Sequence, residues 1–114
     1  MAPTKTDLLQ GTLDMLLMRA CADEALHGYA LVHRLNLISG GRLSVPQGSL
    51  YPALHRLENG GFLKATWGET DTGRDAKFYR LTAKGRKRLD SETAEWKELS
   101  IAISLILGVN HSTP

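Results

Sequence analysis

The side chains best suited to chemistry in this sequence lie along one short stretch, QGSLYPALHRLENGGFL, which runs from Gln47 to Leu63. Three leucines and an alanine recur in it at the spacing of one buried helical face. Tyrosine, histidine and arginine side chains carry donors that reach phosphates and base edges, and a proline holds a helical turn rigid. The opposite face of this helix is therefore a candidate surface for nucleic-acid contact, formed by Ser49, Tyr51, Pro52, His55 and Arg56.

The start of this helix is predicted from its proline. A proline has no N–H, but the first four N–H groups of a helix have no intrahelical partner anyway. If Ser49 is the N-cap, Pro52 is the third helical residue and no hydrogen bond is lost. The helix is then expected to begin at Gly48 or Ser49 and to stop at Asn59 and the two glycines that follow. The alternative reading of its outer side is an ordinary solvated polar face.

A β-hairpin is predicted after these glycines, because apolar and polar residues alternate on both sides of a loop rich in Thr, Asp and Gly. Its tip is expected to carry Arg74 and Lys77. These cations suit contact with phosphates or the minor groove, although edge strands also carry lysine for solubility. Alternation does not decide whether Phe78 or Tyr79 faces the core.

Two further helices are predicted before the stretch. The first, from about Asp7 to Ala22, is apolar on most of its circumference, so a partner subunit is the expected cover for part of it. The second runs from about His27 to Ser39 and ends at a glycine pair. Its inward side chains are expected to be Leu31, Leu35 and Ile38.

A last helix is predicted from the N-cap Thr82 to about Leu107. Leu89, Trp96 and Ile103 fall seven residues apart in it and form a heptad-like seam. Cations crowd its first turns, where they oppose the helix dipole, and this favours an external anion. Pairing of Arg86 with Asp90 and of Arg88 with Glu92 is an equally good explanation, since each pair is spaced i, i+4. The trailing residues 109–114 are expected to be a disordered tail.

The bulk properties restrict the class of protein. The chain has 114 residues and a net charge of only +2, but nine cations face five anions between residues 48 and 90, so an anionic partner should meet the middle of the chain. Cys21 is the single cysteine, which excludes an intrachain disulfide and favours a reducing compartment. We find no signal segment and no apolar run long enough to cross a bilayer, and we expect a cytoplasmic protein without membrane association.

Catalytic and metal-binding functions are not supported by the residue pattern. The histidines show no paired spacing with Cys or carboxylates that would suit zinc, so no metal and no cofactor is expected. No nucleophile–base pair, carboxylate dyad or phosphate-binding glycine loop is visible, and we expect no enzymatic activity. Cys21 is interpreted as a small buried hydrophobe.

The order of elements is that of a winged helix-turn-helix, in which the third helix enters the major groove. The expected fold class is mainly α with a small β-hairpin. We expect residues 1–82 to form the DNA-binding domain and residues 83–108 to form a long C-terminal dimerisation helix that packs on it.

Three segments together resemble the PadR-type transcriptional regulators, in particular their short subfamily and the acidobacterial type within it. They are HGYALVHRL, then QGSLYPALHRLENGGFL, then the hairpin that ends in KFYRLTAKG, and the likeness extends from Leu8 to about Leu107. The resemblance implies a homodimer held by the first and last helices and repression through a palindromic double-stranded DNA operator. It places DNA contacts on the helix surface and the hairpin tip: Ser49, Tyr51, Pro52, His55, Arg74 and Lys77.

A candidate effector site follows from the same resemblance. Some multidrug-binding members of the family hold flat aromatic molecules against a tryptophan of the last helix, and Trp96 matches that position. The resemblance therefore includes release by a small aromatic inducer, whereas burial in a shared dimer core is the simpler role for this side chain. The competing function for the whole chain is a winged-helix module that binds another protein and not DNA.

Overall fold

The computed structural model describes the backbone of residues 5–109 and the side chains of residues 12–109. Four helices and a small sheet follow one another along the chain. The expected fold, a winged helix-turn-helix with a long final helix, is confirmed. The elements are α1 (Lys5–Ala20), β1 (Leu26–His27), α2 (Gly28–Ile38), α3 (Gln47–Asn59), β2 (Leu63–Glu69), β3 (Asp75–Leu81) and α4 (Ala83–Leu107).

The core lies where the first three helices meet the sheet. Apolar side chains of α1, α2 and α3 converge there with the buried ends of the strands. Burial of these side chains is the main stabilising term for so small a domain. The largest fully buried members are Leu13, Leu17, Met18, Cys21, Leu31, Leu50, Leu54, Leu57 and Leu63.

The wing is a three-stranded antiparallel sheet in the order β1-β3-β2, and not the two-stranded hairpin that the sequence predicts. In the added strand, Leu26 pairs with Tyr79 and His27 with Phe78. Tyr79 is the core residue of its pair, because it is buried, while the Phe78 ring meets the His27 ring edge-on at 5.3 Å between centroids.

Helix α2 begins after His27, whose Nδ1 accepts a hydrogen bond from the Ala30 amide at 3.4 Å. Leu31 and Leu35 face the core as expected, but the inward placement of Ile38 is wrong. Ile38 is 74% exposed because α2 ends at this residue, beyond the reach of the core.

The predicted start of α3 is also wrong. The amides of Ser49 and Leu50 both donate to the Pro46 carbonyl at 3.0 Å, so the hydrogen-bond ladder has already begun at Pro46 and Ser49 is not the cap. Pro52 is consequently the sixth helical residue and not the third. Since it has no N–H, the Gly48 carbonyl lacks the amide partner it would have in a regular α-helix.

Helix α4 begins at its predicted cap, since the Thr82 hydroxyl accepts a hydrogen bond from the Gly85 amide at 3.0 Å. It ends at Gly108, which has a positive φ of 69°. Val109 follows as an exposed residue, and the remainder of the predicted tail, 110–114, lies outside the described residues. Within residues 5–109 no helix is both long and apolar enough to cross a membrane.

Candidate nucleic-acid interface

Helix α3 separates its apolar and polar faces as the sequence predicts. Leu50, Ala53, Leu54 and Leu57 are at most 1% exposed. The outer face carries the five side chains proposed for contact, of which Ser49 is half-buried and the other four are exposed: Tyr51, Pro52, His55 and Arg56. The apolar face of α3 is therefore fixed in the core, and its polar face is presented to solvent.

Tyr51 is held over the start of α2. A Cβ atom at Gly28 would lie 2.9 Å from the Tyr51 hydroxyl and 3.1 Å from its ring. The tyrosine is nevertheless 50% exposed. A side chain at position 28 would collide with this ring where it now lies, so the start of α2 limits the space that Tyr51 of α3 can occupy.

Arg56 forms an ion pair within the chain. Its Nη2 atom donates to Oδ1 of Asp14 on α1 at 3.0 Å. The side chain is 43% exposed, so the guanidinium lies at the edge of the polar face. A role for Arg56 in DNA contact would therefore have to compete with this ion pair.

The tip of the wing carries Arg74. The turn from Thr70 to Arg74 is closed by a hydrogen bond from the Thr70 amide to the Arg74 carbonyl at 2.8 Å, and Gly73 within it has a φ of 81°. Arg74 is exposed. Within the part of the chain that the structure describes, no carboxylate forms an ion pair with its guanidinium.

The expectation that Lys77 shares the tip is wrong. Lys77 lies inside β3, opposite Trp67 of β2. Its Nζ atom donates to Glu58 Oε1 on α3 at 3.3 Å. β3 begins at Asp75, so Lys77 lies three positions beyond the turn, and its ion pair with Glu58 connects the wing to α3.

A concave surface that encloses about 860 Å³ lies between the wing and the start of α2. Arg74, Lys77 and Tyr51 line it, together with two aromatic residues that sequence reasoning did not select, Tyr29 and Trp67. These two are 78% and 72% exposed. Their marker is the exposure of a large aromatic side chain to solvent. This exposure could not be predicted from the sequence, because it depends on which elements pack beside each residue.

Two of the four cations in the first turns of α4, Lys84 and Arg88, have partners within the chain. Lys84 Nζ donates to the Gly60 carbonyl at 2.7 Å and lies 4.7 Å from the centre of the Phe62 ring. Arg88 donates to Glu92 at 3.0 Å, as its spacing predicts. For Lys84 and Arg88, internal pairing is therefore a sufficient explanation, and no external anion is required.

The second half of α4 exposes an apolar seam. Leu89 is buried inside the domain, but Trp96, Leu99 and Ile103 are 45%, 53% and 42% exposed. The heptad-like seam thus leaves the body of the domain and continues into solvent. Contiguous apolar surface of this kind typically marks an interaction site.

Cys21 is buried, as the sequence predicts. Burial raises the pKa of its thiol to about 12, an effect that the positive charge of Arg34 opposes. In the described part of the chain, no group of three His, Cys, Asp or Glu side chains is arranged to hold a metal ion.

Comparison with known proteins gives a consistent result. Residues 16–91 match the sequence profile of the Transcriptional regulator PadR-like family. Transcriptional regulator Rv3488 of Mycobacterium tuberculosis is 37% identical over 84 residues, which cover 74% of this chain and 75% of that protein.

Solved structures agree with this match. A PadR-like transcription factor from Bacteroides fragilis is 33% identical, with a TM-score of 0.71 over 90% of this chain and 96% of that one. A PadR-like transcriptional regulator from Bacillus cereus is 26% identical, with a TM-score of 0.76 over 90% of this chain and 98% of its counterpart.

Proposed function

Because the chain belongs to the PadR-like family of transcriptional regulators, we propose that it is a homodimeric repressor that binds an inverted-repeat operator in double-stranded DNA. As members of this family regulate transcription, the chain is a regulator and not an enzyme. Its DNA-binding unit in this proposal is 1–82, and 83–108 is the dimerisation helix.

The observation that carries the proposal is the exposed first half of α3. Tyr51, Pro52 and His55 are exposed on one side of a helix whose other side is buried. The third helix of such a trio inserts its N-terminal residues into the major groove. Tyr51 and His55 are therefore proposed to contact base edges, with Ser49 beside them.

The wing extends the same surface. Arg74 at its tip is exposed and has no ion-pair partner among residues 12–109, so its charge is available to a phosphate or the minor groove. Lys77 can add a second contact if a phosphate displaces Glu58 from its ammonium group. The concave surface between the wing and the start of α2 adjoins Tyr51 of α3, and its exposed Tyr29 and Trp67 side chains carry donors for a sugar–phosphate strand.

The dimer is proposed to form through α1 and α4. The exposed Trp96, Leu99 and Ile103 seam supplies the apolar surface, and a second copy is its simplest cover. Two recognition helices related by a twofold axis then address half-sites about 10 base pairs apart, or a multiple of that. Trp96 would lie near the axis, where a flat aromatic inducer could bind between the two copies.

Footprinting of the purified protein on the intergenic DNA upstream of its own coding sequence tests this function. We expect a protected inverted repeat and binding that falls steeply with salt. A variant carrying both Tyr51→Ala and His55→Ala should lose the footprint while retaining its helical circular dichroism spectrum. If the native protein protects no sequence and binds DNA without salt dependence, the proposal is wrong and association with another protein becomes the better explanation.

A further inference from the structure

One carboxylate joins three helices of this domain. Asp14 on α1 accepts a hydrogen bond from Arg56 of α3 on its Oδ1 atom at 3.0 Å. Its Oδ2 atom accepts from Nη2 of Arg88 on α4 at 3.5 Å. The Asp14 side chain is only 17% exposed, so it lies between the two guanidinium groups and separates them.

The α4 arm of this bridge is itself fixed. Arg88 Nε donates to Glu92 Oε1 at 3.0 Å, and its guanidinium lies 4.6 Å from the centre of the Phe62 ring. A planar guanidinium held on three sides has little rotational freedom left. Arg88 is therefore an anchor and not a freely moving surface charge.

A second junction lies at the end of the recognition helix. The Thr82 hydroxyl donates to the Gly61 carbonyl at 2.6 Å. The backbone of Phe62 approaches so closely that a Cβ at Gly85 would overlap its carbonyl oxygen. The turn after α3 is thus pressed against the first turn of α4.

A helix that is attached to its neighbour at two points has a fixed direction relative to that neighbour. Arg56 lies one helical turn before the Gly60 end of α3, so the Asp14 bridge and the Thr82 junction together fix the angle between α3 and α4. In the proposed dimer, α4 meets its twofold mate, so this angle also sets the distance and rotation between the two recognition helices.

We propose that Asp14 is a positioning residue that sets the half-site spacing this regulator accepts. The inference rests on the proposed function, because it presupposes a dimer bound to an inverted repeat. Asp14 does not touch DNA in this account. It acts through Arg56 and Arg88, and its loss would leave two like charges facing each other, which pushes α3 and α4 apart.

Synthetic operators that differ only in the spacer test the proposal. The native protein and Asp14→Asn are titrated against the natural repeat, against repeats lengthened or shortened by one and two base pairs, and against a single half-site. Simultaneous engagement of two sites raises avidity by about 10²–10⁴, and a geometry that forbids it removes that gain. We expect the native protein to bind mis-spaced repeats about 100-fold more weakly than the natural one.

The variant should discriminate less than about tenfold between the same repeats. Its affinity for the single half-site should be no lower than that of the native protein, because the change also releases Arg56 from its ion pair on the edge of the polar face of α3. Arg88→Gln, which removes only the α4 arm, should behave in the same way. Asp23→Asn is the matched control, because its ion pair with Arg19 is exposed on both sides and joins no second helix. This control should keep the native spacing profile.

Three results would overturn the proposal. In the first, Asp14→Asn and Arg88→Gln keep the native spacing profile. In the second, both variants lose affinity for the half-site by the same factor as for the full repeat, which indicates general damage to the fold. A native protein that bound all spacings equally would also overturn it, and would refute the dimeric operator model as well. The first two results leave that model intact.

Discussion

The hydroxyl of Tyr51 lies 2.9 Å from the point where a Cβ atom on Gly28 would stand. The Tyr51 ring of α3 therefore packs directly against the backbone of Gly28 at the start of α2. Gly28 is buried beneath that ring, although it lies at the first position of a helix, where an alanine would otherwise be favourable.

We predict that Gly28→Ala weakens specific DNA binding without unfolding the protein. The added methyl group must push aside the flexible end of Tyr51, which then leaves its proposed position in the groove. Loss of one good base contact lowers affinity by about 1–3 kcal/mol. Titration of the operator against Tyr51→Ala, Gly28→Ala and the double variant gives the measurement. If the two single effects add fully, Gly28 acts independently of Tyr51 and the prediction is wrong.

The two wing cations are predicted to differ in the salt dependence of binding. Arg74→Ala should reduce the slope of log K against log salt by about one, as expected for one lost phosphate contact. Glu58→Gln should increase the slope by up to about one, because it releases Lys77 from its ion pair. Fluorescence anisotropy with operator and with unrelated DNA at several salt concentrations measures both. Equal slopes for all three proteins would exclude phosphate contacts at the wing.

Ile103→Glu is predicted to convert the dimer to a monomer. A charge placed in the exposed seam of α4 must be desolvated when the seam is covered, and this opposes association. Sedimentation velocity gives the mass directly. Ala94→Glu, on the opposite side of the same helix, is the control and should remain dimeric. A dimeric Ile103→Glu would place the interface elsewhere.

Gly85→Ala is predicted to destabilise the fold by about 1–3 kcal/mol or more, because its methyl group would overlap the Phe62 carbonyl, a backbone atom that cannot rotate away. Gly48→Ala provides the contrast, since nothing lies within 4 Å of its Cβ position. That change should stabilise the helix by about 0.5–1 kcal/mol. Urea unfolding followed by circular dichroism distinguishes them, and similar midpoints for the two variants would contradict the packing described at Gly85.

Stability is predicted to fall at alkaline pH through Cys21. Burial raises the pKa of this thiol from 9.0 to about 12, so above pH 9 the unfolded chain loses a proton that the folded chain keeps. The free energy of unfolding then decreases by up to about 1.4 kcal/mol per pH unit until the folded thiol also ionises. Burial raises the pKa of Tyr79 as well, which adds a decrease of the same sign.

Urea unfolding of the native protein and of Cys21→Ala between pH 8 and pH 11 measures the contribution of the thiol. The alanine variant should show a shallower decline, with the Tyr79 contribution remaining. Identical pH profiles would show that Cys21 ionises as freely in the folded chain as in the unfolded one.

Features governed by local periodicity could be read from the sequence. The buried face of α3 and the Thr82 cap both depend on residues within one or two turns of each other, and both are confirmed. The sequence predicts the wrong start for α3, because a serine resembles a cap, whereas Pro46 has the extended backbone that a cap requires, with φ −66° and ψ 147°.

Features that depend on distant parts of the chain could not be read. β1 has two residues, too few to show alternation, and its partners lie some fifty positions later. The ion pairs of Arg56 and Lys77 depend on how α1 and the wing pack against α3. Ile38 fits the helical period, but the body of the domain ends before it. DNA contact at the predicted residues stays a prediction.

Because of the two-residue strand at Leu26–His27, the sheet of the wing is built from two distant parts of the chain, the hairpin after α3 and the segment that leads into α2. Its hairpin can fold by itself only as a pair of strands, and the third strand arrives only when the start of α2 is already in place. An engineered chimera that exchanges this wing for another must therefore keep the edge of β3 that receives Leu26 and His27. A graft designed on the hairpin alone would leave α2 without its anchor.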